Sequence, residues 1–161
     1  KRLNSKKLKI DENSILIIRG CGPVGYPGSA EVINMQPPDR LLKRGINTLP
    51  TLGDGRQSGT SASPSILHVS PESAVGGDLG VVKTGDKMKI DLNKRRVDLL
   101  ISQSEFKIRR RKRKKFKINN QTPWQEIFRD TVGQLEDGAC IKSRGVYLKV
   151  STSKGIPRNS H

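Results

Sequence analysis

Two glycine-rich segments, each preceded by a short apolar run, constrain the fold of this chain more than any other feature of its sequence. Residues 14–18 (SILII) lead into residues 19–28 (RGCGPVGYPG), and residues 46–52 (INTLPTL) lead into residues 53–65 (GDGRQSGTSASPS). Short apolar runs bounded by polar residues are typical of buried strands, whereas glycine and proline mark loops. We therefore expect two buried strands that each end in a long loop, named loop 1 (residues 19–28) and loop 2 (residues 53–65).

The C-terminal half adds a hairpin and a capped helix. Residues 79–102 alternate between apolar and polar positions on both sides of a polar turn, which is typical of a β-hairpin. Thr122, Pro123 and Gln125 form the capping box of a helix, and Gly138 is its predicted end. The predicted buried stripe of this helix consists of Trp124, Ile127, Phe128, Thr131 and Leu135.

Two shorter patterns predict a helix over residues 29–35 and a last strand over residues 146–150. At 161 residues the chain is the size of one domain. Many short strands, few helices and two long loops favour a β-rich α+β fold, a barrel or sandwich with flanking helices.

The net charge of +16 is concentrated in two short segments. Residues 107–117 (KIRRRKRKKFK) contain nine Lys or Arg and residues 1–9 (KRLNSKKLK) contain five, with no acid in either, so that only +2 remains for the rest. Such runs are usually solvated linkers or helix faces, and they bind polyanions weakly at low salt. A dedicated nucleic-acid site is therefore the less favoured interpretation.

The composition also limits location and cofactors. Only 32% of the residues are hydrophobic, and no apolar run approaches the roughly 18 to 20 residues that cross a bilayer. The chain begins at Lys1 without a signal-peptide pattern, and we interpret it as a cytoplasmic excerpt of a longer polypeptide. Cys21 and Cys140 lack the spacing of a zinc site, and they are too few to hold an iron–sulfur cluster alone.

Loop 1 contains a nucleotide-binding motif in the wrong context. Residues 20–25 (GCGPVG) match GxGxxG and follow a predicted strand. In a dinucleotide-binding fold the third glycine already lies in the helix, whereas Tyr26, Pro27 and Gly28 intervene here and no second βαβ unit is evident. Nucleotide binding is therefore disfavoured. We expect instead that the glycines expose N–H groups and allow a ligand to approach the backbone closely.

Two side chains near these loops are candidates for chemistry. Glu31 lies in the first turn of the predicted helix at residues 29–35, where a carboxylate either complements the helix dipole or binds a hard cation such as Mg²⁺. Loop 2 combines Asp54 and Arg56 with several hydroxyls, Ser58 among them, but it lacks the GxSxG motif of a hydrolase. A serine hydroxyl acts as a base only if a cation lowers its pKa.

The longest motifs resemble one known family. They are RGCGPVGYPGSAEV (residues 19–32), LPTLGDGRQSGTSASPSILHVSPESAVGG (49–77), VVKTGDKMKIDL (81–92) and TPWQEIFRDTVGQLEDGA (122–139). These strings are similar to the C-terminal domain of the family that contains dihydroxy-acid, 6-phosphogluconate and aldonate dehydratases. The GDGRQSGTS string and the Pro-Arg-x-x-His tail resemble the sugar-acid branch, arabinonate or xylonate dehydratases, more than the branched-chain branch, in which a Phe is expected at Gln57.

The resemblance implies an activity and roles for five residues. Members of the family dehydrate 2,3-dihydroxy acids to 2-keto acids, so a sugar acid gives a 2-keto-3-deoxy acid. By this resemblance Ser58 removes the C2 proton, Glu31 is a Mg²⁺ ligand, and Thr60 and Arg56 contact the substrate. The tail residue His161 would close a site, that of a neighbouring subunit in a homodimer or homotetramer. Mg²⁺ would hold the substrate, and an iron–sulfur cluster would act as the Lewis acid on the departing C3 hydroxyl.

The resemblance also implies that this chain needs an N-terminal domain, in which the family carries the cluster cysteines and the remaining Mg²⁺ ligands. We expect residues 1–9 to be a basic segment that leads from that domain. Residues 10–161 would form a swivelling β/β/α domain, a mixed β-barrel with flanking helices, inactive alone. Within it we predict a basic insert at residues 107–117 and a C-terminal helix and tail at residues 122–161.

Two alternatives stay open at this point. The chain could belong to a dihydroxy-acid dehydratase of branched-chain amino-acid biosynthesis, which turnover of 2,3-dihydroxyisovalerate against a sugar acid would reveal. It could also be a non-catalytic remnant that binds nucleic acid or another polyanion. That interpretation requires an affinity that falls steeply with salt and is lost when residues 107–117 are neutralised.

Overall fold

The computed structural model describes residues 3–29, 36–56, 62–118 and 122–142. Three short parallel strands form one sheet in the order β1-β2-β3: β1 Leu16–Ile18, β2 Thr51–Gly53 and β3 Ser65–Ile66. The buried strand predicted at residues 14–18 is confirmed. The strand predicted at residues 46–52 begins later, at Thr51, because Pro50 has no N–H to donate to a neighbouring strand.

The sheet separates two apolar clusters. Side chains alternate between the two faces of a strand, so Leu16 and Ile17 of β1 belong to different clusters. The first cluster centres on the buried residues Leu16, Leu41 and Leu49. The second centres on Leu52, Leu79 and Val82, with partly buried neighbours that include Met88 and Leu99 of the hairpin.

A short helix and the N-terminal segment cover the first cluster. Helix α1 spans Asp39–Leu42 and buries Leu41. The Arg40 guanidinium donates hydrogen bonds to the carbonyls of Leu8 (3.1 Å) and Ile10 (2.7 Å), and Leu3 packs against the cluster. The N-terminal segment is therefore held against the domain from residue 3 onward.

The predicted hairpin is confirmed. Strands β4 (Met88–Asp91) and β5 (Arg96–Leu99) pair antiparallel, with Met88 opposite Leu99 and Ile90 opposite Val97. Helix α2 follows over Gln103–Arg111 and begins at Ser102, whose hydroxyl accepts a hydrogen bond from the Glu105 N–H. This helix was not predicted, and it takes up the first part of the basic run at residues 107–117.

The capped C-terminal helix is confirmed, and its predicted buried stripe is confirmed only in part, because Phe128, Thr131 and Leu135 are half-buried. Helix α3 spans Pro123–Thr131 with the expected capping box. Trp124 is 80% exposed and Ile127 is 55% exposed, although both belong to the predicted buried stripe. The helix instead packs through the polar side chains Gln125 and Arg129, which donate hydrogen bonds to carbonyls of loop 1.

The predicted end of α3 at Gly138 is also wrong. Val132 is already extended and forms an isolated bridge with Ile141. Gly138, at φ 80°, ends a separate 3-10 turn at Leu135–Asp137. Glycine readily adopts the left-handed conformation that ends a helical turn. Gly138 does end such a turn, but it is the 3-10 turn and not helix α3.

The described residues thus form an α+β structure of two small open sheets and a few helices. The helix predicted at residues 29–35 lies almost entirely, and the strand at residues 146–150 entirely, outside the described residues. Among the described helices, none has the length and apolar character needed to span a membrane.

Through its side chain, Arg109 connects helix α2 to Asp86, just before the first strand of the hairpin. Its side chain is only 12% exposed, and its guanidinium donates two hydrogen bonds to the Asp86 carboxylate (2.6 and 3.1 Å) and one to Glu105 (2.7 Å). These hydrogen bonds hold the pKa of Asp86 and the pKa of Glu105 below their usual values. A carboxylate with a lowered pKa stabilises the fold above its ordinary pKa, and this contribution is lost as the pH falls.

We predict that Arg109→Met lowers the free energy of unfolding at pH 7, and that the difference from the wild-type chain narrows as the pH falls below about 4, where both carboxylates gain protons. Urea unfolding at a series of pH values measures this. Arg110→Met is the matched control, because its ion pair with Asp78 is exposed and long, at 3.6 Å. A wild-type to variant difference that is independent of pH would contradict the proposed role of the Arg109 pairs.

Candidate functional site

Loops 1 and 2 leave the sheet at the same edge. Strands β1 and β2 are parallel neighbours, with Ile18 opposite Gly53, so the chain enters both loops side by side. The N–H of Asp54 also donates to the Ile18 carbonyl (3.3 Å) just beyond the paired residues. Residues that follow these strands are therefore brought together at one edge, as in other open parallel sheets.

The carboxylate of Asp54 joins the two loops. Asp54 is fully buried, and its oxygens accept hydrogen bonds from the N–H groups of Gly20 and Cys21 in loop 1, both at 3.0 Å. It also accepts from the N–H (2.9 Å) and the hydroxyl (2.5 Å) of Ser73, in the 3-10 turn Ser73–Val75. A single side chain of loop 2 thus holds loop 1 and a third segment in place.

A second buried carboxylate fixes the middle of loop 1. Glu72 is fully buried and accepts hydrogen bonds from the N–H groups of Val24 (2.8 Å) and Gly25 (2.7 Å). The Gln134 amide donates to the Glu72 carboxylate (3.0 Å) and accepts from the Glu72 N–H (2.9 Å). Several hydrogen-bond donors replace the water that each carboxylate loses on burial. This replacement keeps the free-energy cost of burying a carboxylate small.

One glycine of each loop, Gly22 in loop 1 and Gly55 in loop 2, lies where this packing leaves no room for a side chain. A Cβ at Gly22 would lie 2.5 Å from a carboxylate oxygen of Glu72, and a Cβ at Gly55 would lie 2.7 Å from the Cβ of Cys21. Only a residue without a side chain allows the backbone to come this close.

This finding corrects our expectation for loop 1. The N–H groups of Gly20, Cys21, Val24 and Gly25, which we expected to face a ligand, are bound by Asp54 and Glu72. In a phosphate-binding loop such N–H groups bind the phosphate instead. The structure therefore also argues against the nucleotide-binding interpretation of the GxGxxG motif.

Cys21 lies at the junction of the two loops as a half-buried free thiol. Burial raises the pKa of this thiol, and the nearby Asp54 carboxylate raises it further, while a hydrogen bond with Ser29 acts in the opposite direction. A raised pKa keeps Cys21 in the protonated form, which is neither a nucleophile nor a good metal ligand.

The predicted site residues fall mostly outside the described ranges. Arg56 is described, directly after Gly55, and its side chain is exposed. Glu31, Ser58, Thr60 and His161 lie outside the described residues. What the structure brings together is the beginning of each loop, with Gly20 and Cys21 of loop 1 against Asp54 and Gly55 of loop 2.

The described residues do not supply a metal site by themselves. A hard cation needs free carboxylate oxygens, but those of Asp54 and Glu72 already accept hydrogen bonds from N–H groups. Within the described ranges, no group of three or more His, Cys, Asp or Glu could hold a metal ion. The whole sequence contains two cysteines, too few to hold an iron–sulfur cluster without ligands from another domain.

Sequence reasoning missed the two buried carboxylates. From the sequence, Asp54 is only one polar residue of loop 2, and Glu72 stands out only as part of the family motif at residues 49–77. One local signal could have indicated Asp54, namely an acid between two glycines directly after a buried strand (Gly53-Asp54-Gly55). Its donors lie 33 and 34 residues away in loop 1, and no local pattern identifies them.

Comparison with known proteins decides the family. Residues 1–139 match the family model described as dihydroxy-acid/6-phosphogluconate dehydratase C-terminal. The chain belongs to this family. The predicted resemblance is therefore confirmed over most of the chain.

Relatives of this dehydratase family include two that are named for sugar acids. The chain is 51% identical over 161 residues to a D-xylonate dehydratase of Caulobacter vibrioides, covering 100% of this chain and 27% of the relative. It is 49% identical over 105 residues to an L-arabinonate dehydratase of Rhizobium leguminosarum, covering 65% and 18%. A dihydroxy-acid dehydratase of Thermodesulfovibrio yellowstonii is 38% identical over 135 residues, covering 83% and 24%. The chain thus spans about a quarter or less of the length of these relatives.

We predict that Asp54→Asn lowers the free energy of unfolding by about 2 to 4 kcal/mol, because the new amide group would point at N–H donors that then lose their acceptor. Urea unfolding measures the effect. Asp137→Asn is the matched control, because that carboxylate is exposed, and its effect should stay within about 0.5 kcal/mol. Equal unfolding of the two variants would show that Asp54 does not hold the loops together.

Proposed function

We propose that this chain is the C-terminal domain of a dehydratase that removes water from an aldonate, such as D-xylonate or L-arabinonate, to give a 2-keto-3-deoxy acid. The observation that supports this proposal best is the connection of loop 1 to loop 2 through Asp54, at the edge where both strands end. It favours a shared site for Glu31, which follows loop 1, and Ser58, which lies within loop 2. The 51% identity to a D-xylonate dehydratase favours the sugar acid over other hydroxy acids.

In this proposal the chain contributes the base and one ligand. The Ser58 hydroxyl, as alkoxide, takes the C2 proton of the substrate. The hydroxyl on C3 departs and takes up this proton, so that water is released, the alkoxide is restored, and the enol that forms tautomerises to the 2-keto acid. Thr60 lines the substrate site, the exposed Arg56 binds the substrate carboxylate, and His161 closes the site. Glu31 would hold Mg²⁺, which when bound makes the serine hydroxyl acidic enough to act as a base.

The proposal requires an N-terminal domain. The chain spans 27% of the D-xylonate relative while matching along its whole length. We assign the cluster cysteines and the other Mg²⁺ ligands to the remaining part, so the isolated chain should be inactive. We further propose that residues 10–161 complete a swivelling β/β/α domain with a mixed barrel, that residues 1–9 lead into it, and that the enzyme is a cytoplasmic homodimer or homotetramer.

A dihydroxy-acid dehydratase is the second candidate within the enzyme class. The observation in its favour is the 38% identity, over 83% of the chain, to a relative with that name. Comparing kcat/KM for D-xylonate and L-arabinonate with that for 2,3-dihydroxyisovalerate in the complete enzyme separates the two candidates.

The polyanion-binding alternative receives less support from the structure. Arg109 and Arg113 of the basic run are bound to the domain, the first to Asp86 and Glu105, and the second to the Gly76 carbonyl. The neighbouring lysines, including Lys112, Lys114 and Lys115, are exposed. Part of the charge therefore serves the fold, and the remainder is a solvated surface of the kind that many proteins carry.

We predict that Ser58→Ala, in an enzyme completed with the N-terminal domain, lowers kcat for 2-keto acid formation by about 10²- to 10⁴-fold, because the C2 proton loses its acceptor. Ser65→Ala is the matched control, since this serine at the end of loop 2 is exposed and donates a hydrogen bond only to the Ser63 carbonyl among the described contacts. Turnover by Ser58→Ala equal to that of the control would remove Ser58 from the mechanism.

A further inference from the structure

Helix α3 is attached to the domain through its polar side. The Gln125 amide donates to the Pro27 carbonyl (3.1 Å), and the Arg129 guanidinium donates to the Val24 carbonyl (2.9 Å). Arg129 is only 9% exposed, unusual for an arginine and consistent with its place between helix and loop 1. An amphipathic helix on a single domain normally does the reverse and buries its apolar stripe.

Part of the apolar side of α3 therefore remains exposed, although Phe128 is half-buried. Trp124 is 80% exposed, and Ile127, one helical turn further, is 55% exposed; we call these two side chains the outer face of α3. Tyr26 of loop 1, adjacent in sequence to Pro27, is also 56% exposed. Exposed aromatic and aliphatic side chains at adjacent positions are typical of surfaces that become buried in a larger assembly.

We propose that the outer face of α3 is the surface on which the N-terminal domain of the complete enzyme is seated. This inference rests on the proposed function in one respect, that this chain is part of a longer dehydratase. The whole chain matches the D-xylonate relative but spans only 27% of it. In a complete enzyme of that length, most of the polypeptide lies outside this chain and could cover the outer face of α3.

The size of the outer face favours a tethered domain over a second copy of this chain. A stable interface between separate chains buries about 800 Å² on each partner, far more than two side chains provide. A domain in the same polypeptide needs less contact area, because the connection raises its effective concentration.

The position of α3 gives this contact a functional consequence. Because Gln125 and Arg129 are bound to loop 1, a domain seated on α3 lies next to the loop that leads to Glu31. The contact would thus align the N-terminal domain with the candidate site.

Hydroxyl-radical footprinting with mass spectrometry tests the proposal. The oxidation rate of each side chain would be compared between the 161-residue chain and a complete enzyme, in which this chain replaces the matching segment of the Caulobacter D-xylonate dehydratase. We expect the rate at Trp124 to fall several-fold in the complete enzyme. Leu92 of the hairpin, 78% exposed, serves as the unprotected control, and buried Leu41 should be protected in both proteins, which verifies that each is folded.

Two outcomes would overturn the proposal. The first is an unchanged rate at Trp124 in the folded complete enzyme. The second is protection of Trp124 in the 161-residue chain that increases with its concentration, which would assign the outer face to a second copy. Failure of the complete enzyme to turn over any sugar acid would instead refute the proposed function, because footprinting does not depend on turnover.

Discussion

The buried carboxylate of Asp54 is the interaction on which the rest of the candidate site depends. Taking a carboxylate out of water is costly unless donors replace the lost hydration. Here the donors are N–H groups of loop 1 and of the 3-10 turn at Ser73–Val75. The hydrogen bonds that replace the lost hydration therefore also connect loop 2 to loop 1 and to this turn. Glu72 repeats the arrangement in the middle of loop 1 and extends it to Gln134. The loops are therefore positioned by side chains of their own domain.

This arrangement explains why a glycine-rich sequence is misleading here. In loop 1 the absence of side chains at Gly22 and Gly25 makes room for Glu72 and for close backbone packing, and a ligand is not needed to explain it. The proposed chemistry is assigned to other residues, Glu31 after loop 1 and Ser58 within loop 2. A rigid loop base with reactive side chains on the adjoining segments is a common way to combine precision with access.

The parts of the fold that were predictable have local signatures. The strand at Leu16–Ile18, the hairpin and the capping box at Thr122 each follow from a pattern within a few residues. The burial of Trp124 and Ile127 was mispredicted because the rotation of the helix against the domain depends on contacts with Val24 and Pro27, about 100 residues away. Periodicity defines the two sides of a helix, but tertiary contacts decide between them.

The same limit applies to the candidate site. The family resemblance led to the prediction of Glu31 and Ser58 as site residues. The carboxylates that position the loops were not recognised, because Asp54 and Glu72 bind partners 34 and 48 residues away in the sequence. Composition alone also suggested that the whole basic run faces solvent. In the structure, Arg109 donates hydrogen bonds to the Asp86 carboxylate and Arg113 donates to the Gly76 carbonyl, so these two side chains bind the domain itself.

The central claim is that Glu31 and Ser58 flank one shared space, and intramolecular cross-linking tests it most directly. In a chain with Cys21 and Cys140 replaced by Ser, Glu31→Cys and Ser58→Cys would be joined with a short bismaleimide, and the product mapped by mass spectrometry. The account predicts an efficient intramolecular cross-link for this pair and none for Ser58→Cys with Lys94→Cys, on the turn of the hairpin. If both thiols of the first pair react with a monofunctional maleimide but fail to cross-link, the account is wrong.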